Sequence, residues 1–337
     1  MKHTGHLFGS IIAFPNLWRA AHKAWRGKKD KTRIADFYFN LERELLRIQE
    51  ELVSGQYQPR PYRLFMVTDP KHREIAAADF RDRVVHHAII NVLDPLFETR
   101  LIHHTYACRV GKGTHAAVQQ AQHCAARFPF FLKCDIRKYF QSVDHTFLAT
   151  LLARIIKDQR VLDLLARIIT HPVAGHPPGK GIPIGNLTSQ HFANLYLGEL
   201  DHFIKERLRV NGYLRYMDDF LVFGPTKSFL HGIHFEIRQF LHDRLSLVLK
   251  DHVTLLAPTN EGIPFLGFQV FPQTVRLQRK GMARFRHKFS AREELFQRGE
   301  INATLLSRSV GSMIGHMVHA DTLAMRQKLF SAVVDLG

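Results

Sequence analysis

Cysteine is scarce. The 337 residues hold three, Cys108, Cys124 and Cys134, with no paired spacing, which suits a reducing compartment rather than a disulfide framework. No run of eighteen apolar residues occurs, so neither a membrane-spanning helix nor a membrane partner is expected. The stretch from Met1 to Trp18 has a short apolar patch but lacks the h-region and cleavage site of a secretory leader. It reads as part of the folded protein, and the protein as cytoplasmic. Histidine is plentiful, at 22 residues, yet no C-x-x-C or H-E-x-x-H pattern accompanies it. The adjacent pairs His86-His87 and His103-His104 would point apart on a helix or a strand, so zinc lacks its ligand spacing. Internal repeats and low-complexity tracts are also missing.

Negative charge is the other shortage. Lys and Arg total 47 against 30 for Asp and Glu, a net charge of +17 with neutral histidines. An excess of that size favours a polyanionic partner, because each neutralised phosphate releases condensed counterions. Charge balance alone separates neither DNA from RNA nor enzyme from binder.

Hydrophobic spacing gives the elements. After the basic cluster Arg26-Gly27-Lys28-Lys29-Asp30-Lys31, the stripe Ile34, Phe37, Leu41, Leu45, Ile48 and Leu52 predicts one amphipathic helix stopped by Gly55. Tyr62 to Val67, a turn at Thr68-Asp69-Pro70 and Glu74 to Ala77 predict a hairpin. Helices follow over Phe80 to Phe97 and Thr114 to Arg127, where Pro129 intervenes. Phe130 to Asp135 reads as a buried strand, 146 to 170 as helical, His171 to Gly185 as a Pro/Gly-rich loop, and Leu187 to Arg207 as a helix. Tyr213 to Tyr216 and Phe220 to Phe223 predict two short strands around Met217-Asp218-Asp219, and beyond 272 the chain is basic and mostly helical. The class is α+β, strands in the middle with helices on one side.

Two acidic positions stand out. Asp135 ends an otherwise apolar strand, and Asp218 with Asp219 tips a strand-turn-strand element. Such carboxylates are costly to desolvate unless cations accompany them. If the tip lies beside the Asp135 strand, the three would bridge two divalent ions about 3.5–4 Å apart, the arrangement that stabilises attacking and leaving oxygens in phosphoryl transfer.

Tyr216-Met217-Asp218-Asp219, flanked by apolar strands, resembles the signature hairpin of reverse transcriptases. The segment Phe131 to Phe140 resembles that family's first metal-binding motif, Gly181 to Gln190 its template- and nucleotide-contacting loop-helix, and Pro264-Phe265-Leu266-Gly267-Phe268 its primer grip. The order is right and the matches span roughly 60 to 270. The resemblance implies a right-hand polymerase fold with fingers, palm (an antiparallel sheet backed by helices) and a short helical thumb. On that basis 1–58 is a helical extension, 59–128 the fingers with 146–185 shared between fingers and palm, 129–272 the palm and 273–337 the thumb. It also implies RNA-directed DNA synthesis from dNTPs on a primer, with two Mg²⁺ ions for which Mn²⁺ substitutes.

Most members carry Gln-Gly and Ser-Pro at the ends of the middle motif, where this chain has Ile184-Gly185 and Ser189-Gln190. With Tyr106-Ala107-Cys108-Arg109 and Gly111-Lys112-Gly113-Thr114-His115, that departure looks like the reverse transcriptases of diversity-generating retroelements. Their resemblance implies copying of a template RNA into cDNA with errors at adenines, and a small basic oligomeric accessory protein.

Roles implied by the resemblance follow by position. Asp135 and Asp218 would ligate both metals, Asp219 would be the weaker third carboxylate, and Ile136 would add its backbone carbonyl. Phe140 aligns with the steric gate against the ribose 2′-hydroxyl. Lys71 and Arg73 match triphosphate clamps, and Gln190 lies at the nucleotide side of its motif. Ile184, with Gly185 and Ser189 beside it on the template side, lacks the hydrogen bonds that glutamine would offer, which loosens the policing of base-pair geometry. Phe265, Leu266 and Gly267 form the grip, and Arg284, Arg286 and Lys288 track the duplex backbone. The position of a general-acid lysine falls near Val253; Lys250 is the nearest candidate and stays unassigned. Two rivals stand beside this reading: an anti-phage defence, retron-like or intron-type reverse transcriptase with its own structured RNA, and a non-catalytic RNA-binding protein on the same fold.

Overall fold

The computed structural model describes residues 6–26, 32–68 and 72–327. It opens with α1 (Leu7–Ile12) and α2 (Phe14–Trp25); Pro15 sits in the first turn of α2, where its missing N–H costs nothing. The 34–52 stripe is divided into α3 (Thr32–Phe39) and α4 (Leu41–Val53). The break falls at Asn40, whose side-chain amide donates to the Asp36 carbonyl at 3.2 Å and so competes with the helical ladder.

The hairpin is β1 (Arg63–Val67) and β2 (Arg73–Ala77); its tip, with Lys71, lies outside the described residues. Then come α5 (Phe80–Glu98), capped by the Asp79 carboxylate on Arg81 N–H, and α6 (Thr114–Arg127). β3 (Phe130–Asp135) is followed by α7 (Tyr139–Ser142), α8 (His145–Ile155), α9 (Gln159–Thr170) and α10 (Leu187–His202), which runs on as a π turn over Phe203–Arg207. β4 (Gly212–Tyr216), β5 (Asp219–Gly224), α11 (Lys227–Leu245) and β6 (Leu255–Pro258) complete the middle of the chain. A small antiparallel sheet of β7 (Ile263–Phe265), β8 (Phe268–Val270) and β9 (Val275–Leu277) leads into α12 (Arg279–Gln297) and α13 (Ala303–Met317).

The central sheet has the order β4-β5-β3-β6, every pair antiparallel. Strand alternation gives it two apolar faces. Leu132, Cys134, Tyr213, Phe220 and Val222 face the larger core with α10 and α11, while Phe131, Leu214, Leu221 and Phe223 face a second core with α6 and the β7–β9 sheet. By the same alternation Lys133, Asp135 and Asp219 share the second face, and Arg215 the first. Among the described residues no helix is long and apolar enough to cross a membrane.

Candidate active site

The register of the sheet assembles the carboxylates. Asp135, last residue of β3, pairs with Asp219, first residue of β5, and Tyr216 pairs with Asp219 across the hairpin. Asp218 therefore stands at the tip, beside the end of β3, as strand order and motif spacing anticipate. Burial, then the charge of Asp135, raises the Asp218 carboxyl above its ordinary range, and Arg73 and Lys250 draw it back down. Burial pushes Asp219 up to about 7 against the pull of Lys133, with Asp135 and Asp218 adding to the rise.

Two lysines answer these charges. Lys133 Nζ lies 3.2 Å from Asp219 Oδ2 and donates to the Pro264 carbonyl at 2.7 Å. Lys250 Nζ is 3.7 Å from Asp135 Oδ1, and its backbone N–H donates to the Asp135 carbonyl. Asp219 Oδ1 is buried without a hydrogen-bond partner. Three mutually repelling hard oxygen donors, one of them orphaned, suit added divalent positive charge. Among the described residues no three His, Cys, Asp or Glu side chains are already gathered around a common point; Asp219 is paired with Lys133 and Asp135 with Lys250. Ile136 follows as a buried residue bridged to Leu249.

The remaining positions fall around this centre unevenly. Arg73 opens β2 and acts electrostatically on Asp218. Phe140, half-buried in α7, accepts the Ile182 N–H on its carbonyl at 2.8 Å. The Ile184 carbonyl accepts from Ala76 N–H at 3.0 Å and the Asn186 side chain from Ala78 N–H at 3.2 Å, so the middle-motif loop is fastened to the end of β2. Gly185 has φ 108°, and a Cβ there would come 2.7 Å from Ile75 Cγ2. Gln190 is half-buried with Cys108 Sγ 3.5 Å from its side-chain oxygen, whereas Ser189 is buried within α10. Phe265 is fully buried; Leu266 and Gly267, with φ 50° and 89°, make the tight β7–β8 loop, and the Gly267 carbonyl receives the Gln278 N–H just before α12. Arg284, Arg286 and Lys288 are exposed on α12 around the stacked Phe285 and Phe289.

Sequence reasoning missed Lys133 and Arg215. Each is a cation inside an otherwise apolar strand, and that anomaly was the available signal.

The reverse transcriptase (RNA-dependent DNA polymerase) family model matches residues 68–270, more than half of the chain. The chain belongs to the reverse transcriptase family. It is thereby placed among RNA-directed DNA polymerases, a nucleotidyltransferase class. Protein YkfC of Escherichia coli is 28% identical over 69% of this chain and 72% of its own length. The group II intron-encoded protein LtrA of Lactococcus lactis is 22% identical over 80% of this chain and 55% of its own; the chain thus spans about half the length of that relative. A telomerase structure from Candida tropicalis, bound to a fragment of telomeric RNA, superposes with TM-score 0.50 at 10% identity, covering 87% of this chain and 58% of the other. That likeness shows the fold, the right-hand polymerase arrangement of helices and antiparallel strands.

Proposed function

We propose that this reverse transcriptase extends a primer 3′-hydroxyl on an RNA template, joining it to the α-phosphate of a dNTP with release of pyrophosphate. The observation that carries the reading is the Asp135–Asp219 strand pair with Asp218 at the adjoining tip. In this reading Asp135, Asp218 and Asp219, with the Ile136 carbonyl, hold two divalent ions, Mg²⁺ or substituting Mn²⁺, which supply charge stabilisation for the phosphoryl transfer. Arg73, with Lys71, holds the triphosphate, and Phe140 walls off the 2′ position of the sugar. Gln190, on the helix that follows the Ile184-Gly185 loop, borders the nucleotide. The Leu266-Gly267 loop bears on the primer strand, and Arg284, Arg286 and Lys288 on the duplex backbone. Positioning and electrostatics carry the rate.

The retroelement reading refines this: the template RNA is copied with errors at adenines, alongside a small basic oligomeric accessory protein. Its support is the Ile184-Gly185…Ser189-Gln190 motif, with Ile184 anchored through its backbone and its side chain free of hydrogen-bonding atoms. An intron-type reading is favoured by the relationship to LtrA across most of the chain. Primer extension on RNA with Mg²⁺ and four dNTPs, with and without a candidate accessory protein and with Asp218→Ala as control, tests all of these. Templated cDNA lost in the variant supports the polymerase; errors gathered at template adenines support the retroelement reading, and accurate copying of a long structured RNA supports the intron-type one. RNA binding with no synthesis under any condition would overturn the polymerase.

A further inference from the structure

The turn that carries Asp218 and Asp219 does not hold itself. Tyr216 pairs with Asp219 and leaves the two-residue loop Met217-Asp218, in which Met217 takes φ 57°. Hairpin loops of this length give that left-handed position to glycine or asparagine. For a methionine the conformation costs about 1 kcal/mol or more and persists only where the surroundings over-determine it.

Met217 packs at the margin of the larger core, and one buried side chain supplies the polar hold on the turn. Arg215, fully buried on the face of β4 opposite Lys133, donates from Nη1 to the Met217 carbonyl at 3.0 Å. Nη1 also reaches Asn194 Oδ1 at 3.3 Å, and Nη2 reaches the Asn194 carbonyl at 3.1 Å. Its Nε and Nη2 make a two-pronged pair with Asp201, at 2.7 and 2.6 Å. All five guanidinium N–H donors are matched, which a lysine's three cannot reproduce. Asp201 is saturated in turn, accepting from Tyr213 Oη at 2.6 Å and Thr105 Oγ1 at 3.0 Å.

The far end of the network lies in the segment before α6. Asn194 donates to the Ala107 carbonyl at 2.7 Å. The backbones of His104 and Tyr106 bond Arg215 on both its carbonyl and its N–H side, sealing the outer edge of β4. The segment continues into Cys108, which touches Gln190.

We propose that Arg215 is a positioning residue for the aspartate turn, and that Asp201 and Asn194 tie that turn to the Thr105–Ala107 segment so that the two shift together. The catalytic consequence rests on the polymerase reading; the mechanical claim does not.

The test takes the full chain as wild type, Arg215→Lys and Asn194→Ala, the last of which keeps the Arg215–Asp201 pair. Three readouts are compared: thermal unfolding, hydrogen exchange in the 213–222 and 130–135 segments, and single-nucleotide incorporation. In both variants the turn amides exchange faster while the β3 amides do not. In Arg215→Lys kcat falls by about tenfold or more, as misplacement of reacting groups predicts, with the dNTP KM within about a factor of two. Asn194→Ala shows a several-fold loss of the same kind in the folded protein, with melting lowered because the Ala107 carbonyl and one Arg215 N–H lose their partner. Unchanged turn exchange in the folded variants, or a kcat loss that only follows the folded fraction, overturns the proposal. If Arg215→Lys does not fold, Asn194→Ala decides on the same readouts. If the wild type makes no cDNA, the polymerase reading fails and exchange alone judges the turn.

Discussion

Lys133 and Asp219 lie diagonally across two neighbouring strands, 3.2 Å apart, and the same ammonium group reaches the Pro264 carbonyl at the start of the expected primer-grip segment. One cation thus joins the third carboxylate to the sheet whose tight loop is Leu266-Gly267. Replacing it with an isosteric apolar chain, Lys133→Met, leaves a buried carboxylate and a carbonyl without their donor. The expected cost is about 1–3 kcal/mol of stability, read by urea unfolding. Primer extension in the folded variant is expected to lose efficiency through a raised KM for primer–template, since the grip strand loses its tether.

Phe140 should set sugar choice. A smaller side chain in Phe140→Val opens the wall without touching the carbonyl that receives Ile182 N–H. The ratio of kcat/KM for dNTP over rNTP is expected to fall by about 10- to 100-fold, the scale on which a filled pocket rejects an added group. An unchanged ratio would show that Phe140 only packs.

Ile184 and Gly185 separate a chemical effect from a conformational one. Ile184→Gln leaves the carbonyl bond to Ala76 in place and adds a hydrogen-bonding side chain, so sequenced products should carry several-fold fewer errors. Gly185→Ala forces a left-handed backbone on alanine and a 2.7 Å contact on Ile75. It should destabilise by about 1–3 kcal/mol, measurable as a lower melting temperature.

His86 gives the fold an acid limit. Burial first, then the charges of His87, Arg83 and His171, depress its pKa from 6.5 to about 3. The folded protein resists protonation that the unfolded chain accepts. Stability from this group is complete above about 6.5 and is lost as pH falls from there toward about 3. Denaturation midpoints in that window should decline less steeply in His86→Gln than in the parent.

On α12, Arg286→Ala should weaken duplex binding evenly across sequences. The slope of log Kd against log salt should shrink by about one, the mark of a single phosphate contact.

Much of this arrangement could be read from residue order. Thr114–Arg127 and Phe130–Asp135 appear with the bounds that Gly113, Pro129 and the apolar run dictate, and the backbone positions of Asp135, Asp218 and Asp219 come to neighbouring strand ends because strand alternation and the hairpin leave little choice. The helix over Lys227–Leu245 went unanticipated, although Leu230, Ile233, Ile237, Leu241 and Leu245 carry its stripe behind the Thr226 cap. Asn40 defeated the reading of one long helix because its effect lies in a single side-chain hydrogen bond rather than in periodicity. The Arg215–Asp201 pair was hidden for a different reason. Asp201 looks like any polar position on a helix, and only the folded backbone sets it against a strand fourteen residues on.

The strand pairing that brings the aspartates together also sets when they meet during synthesis. β3 has its partners in β5 and β6, which the ribosome makes long after it. Until those arrive, Phe131 and Leu132 have no sheet to join, and a nascent chain that ends before Asp218 carries one of the three aspartates of the proposed site. Distant pairings of this kind close late and slowly. Truncated or stalled chains would therefore be inert as copying enzymes, and an incompletely made product could not write sequence into DNA.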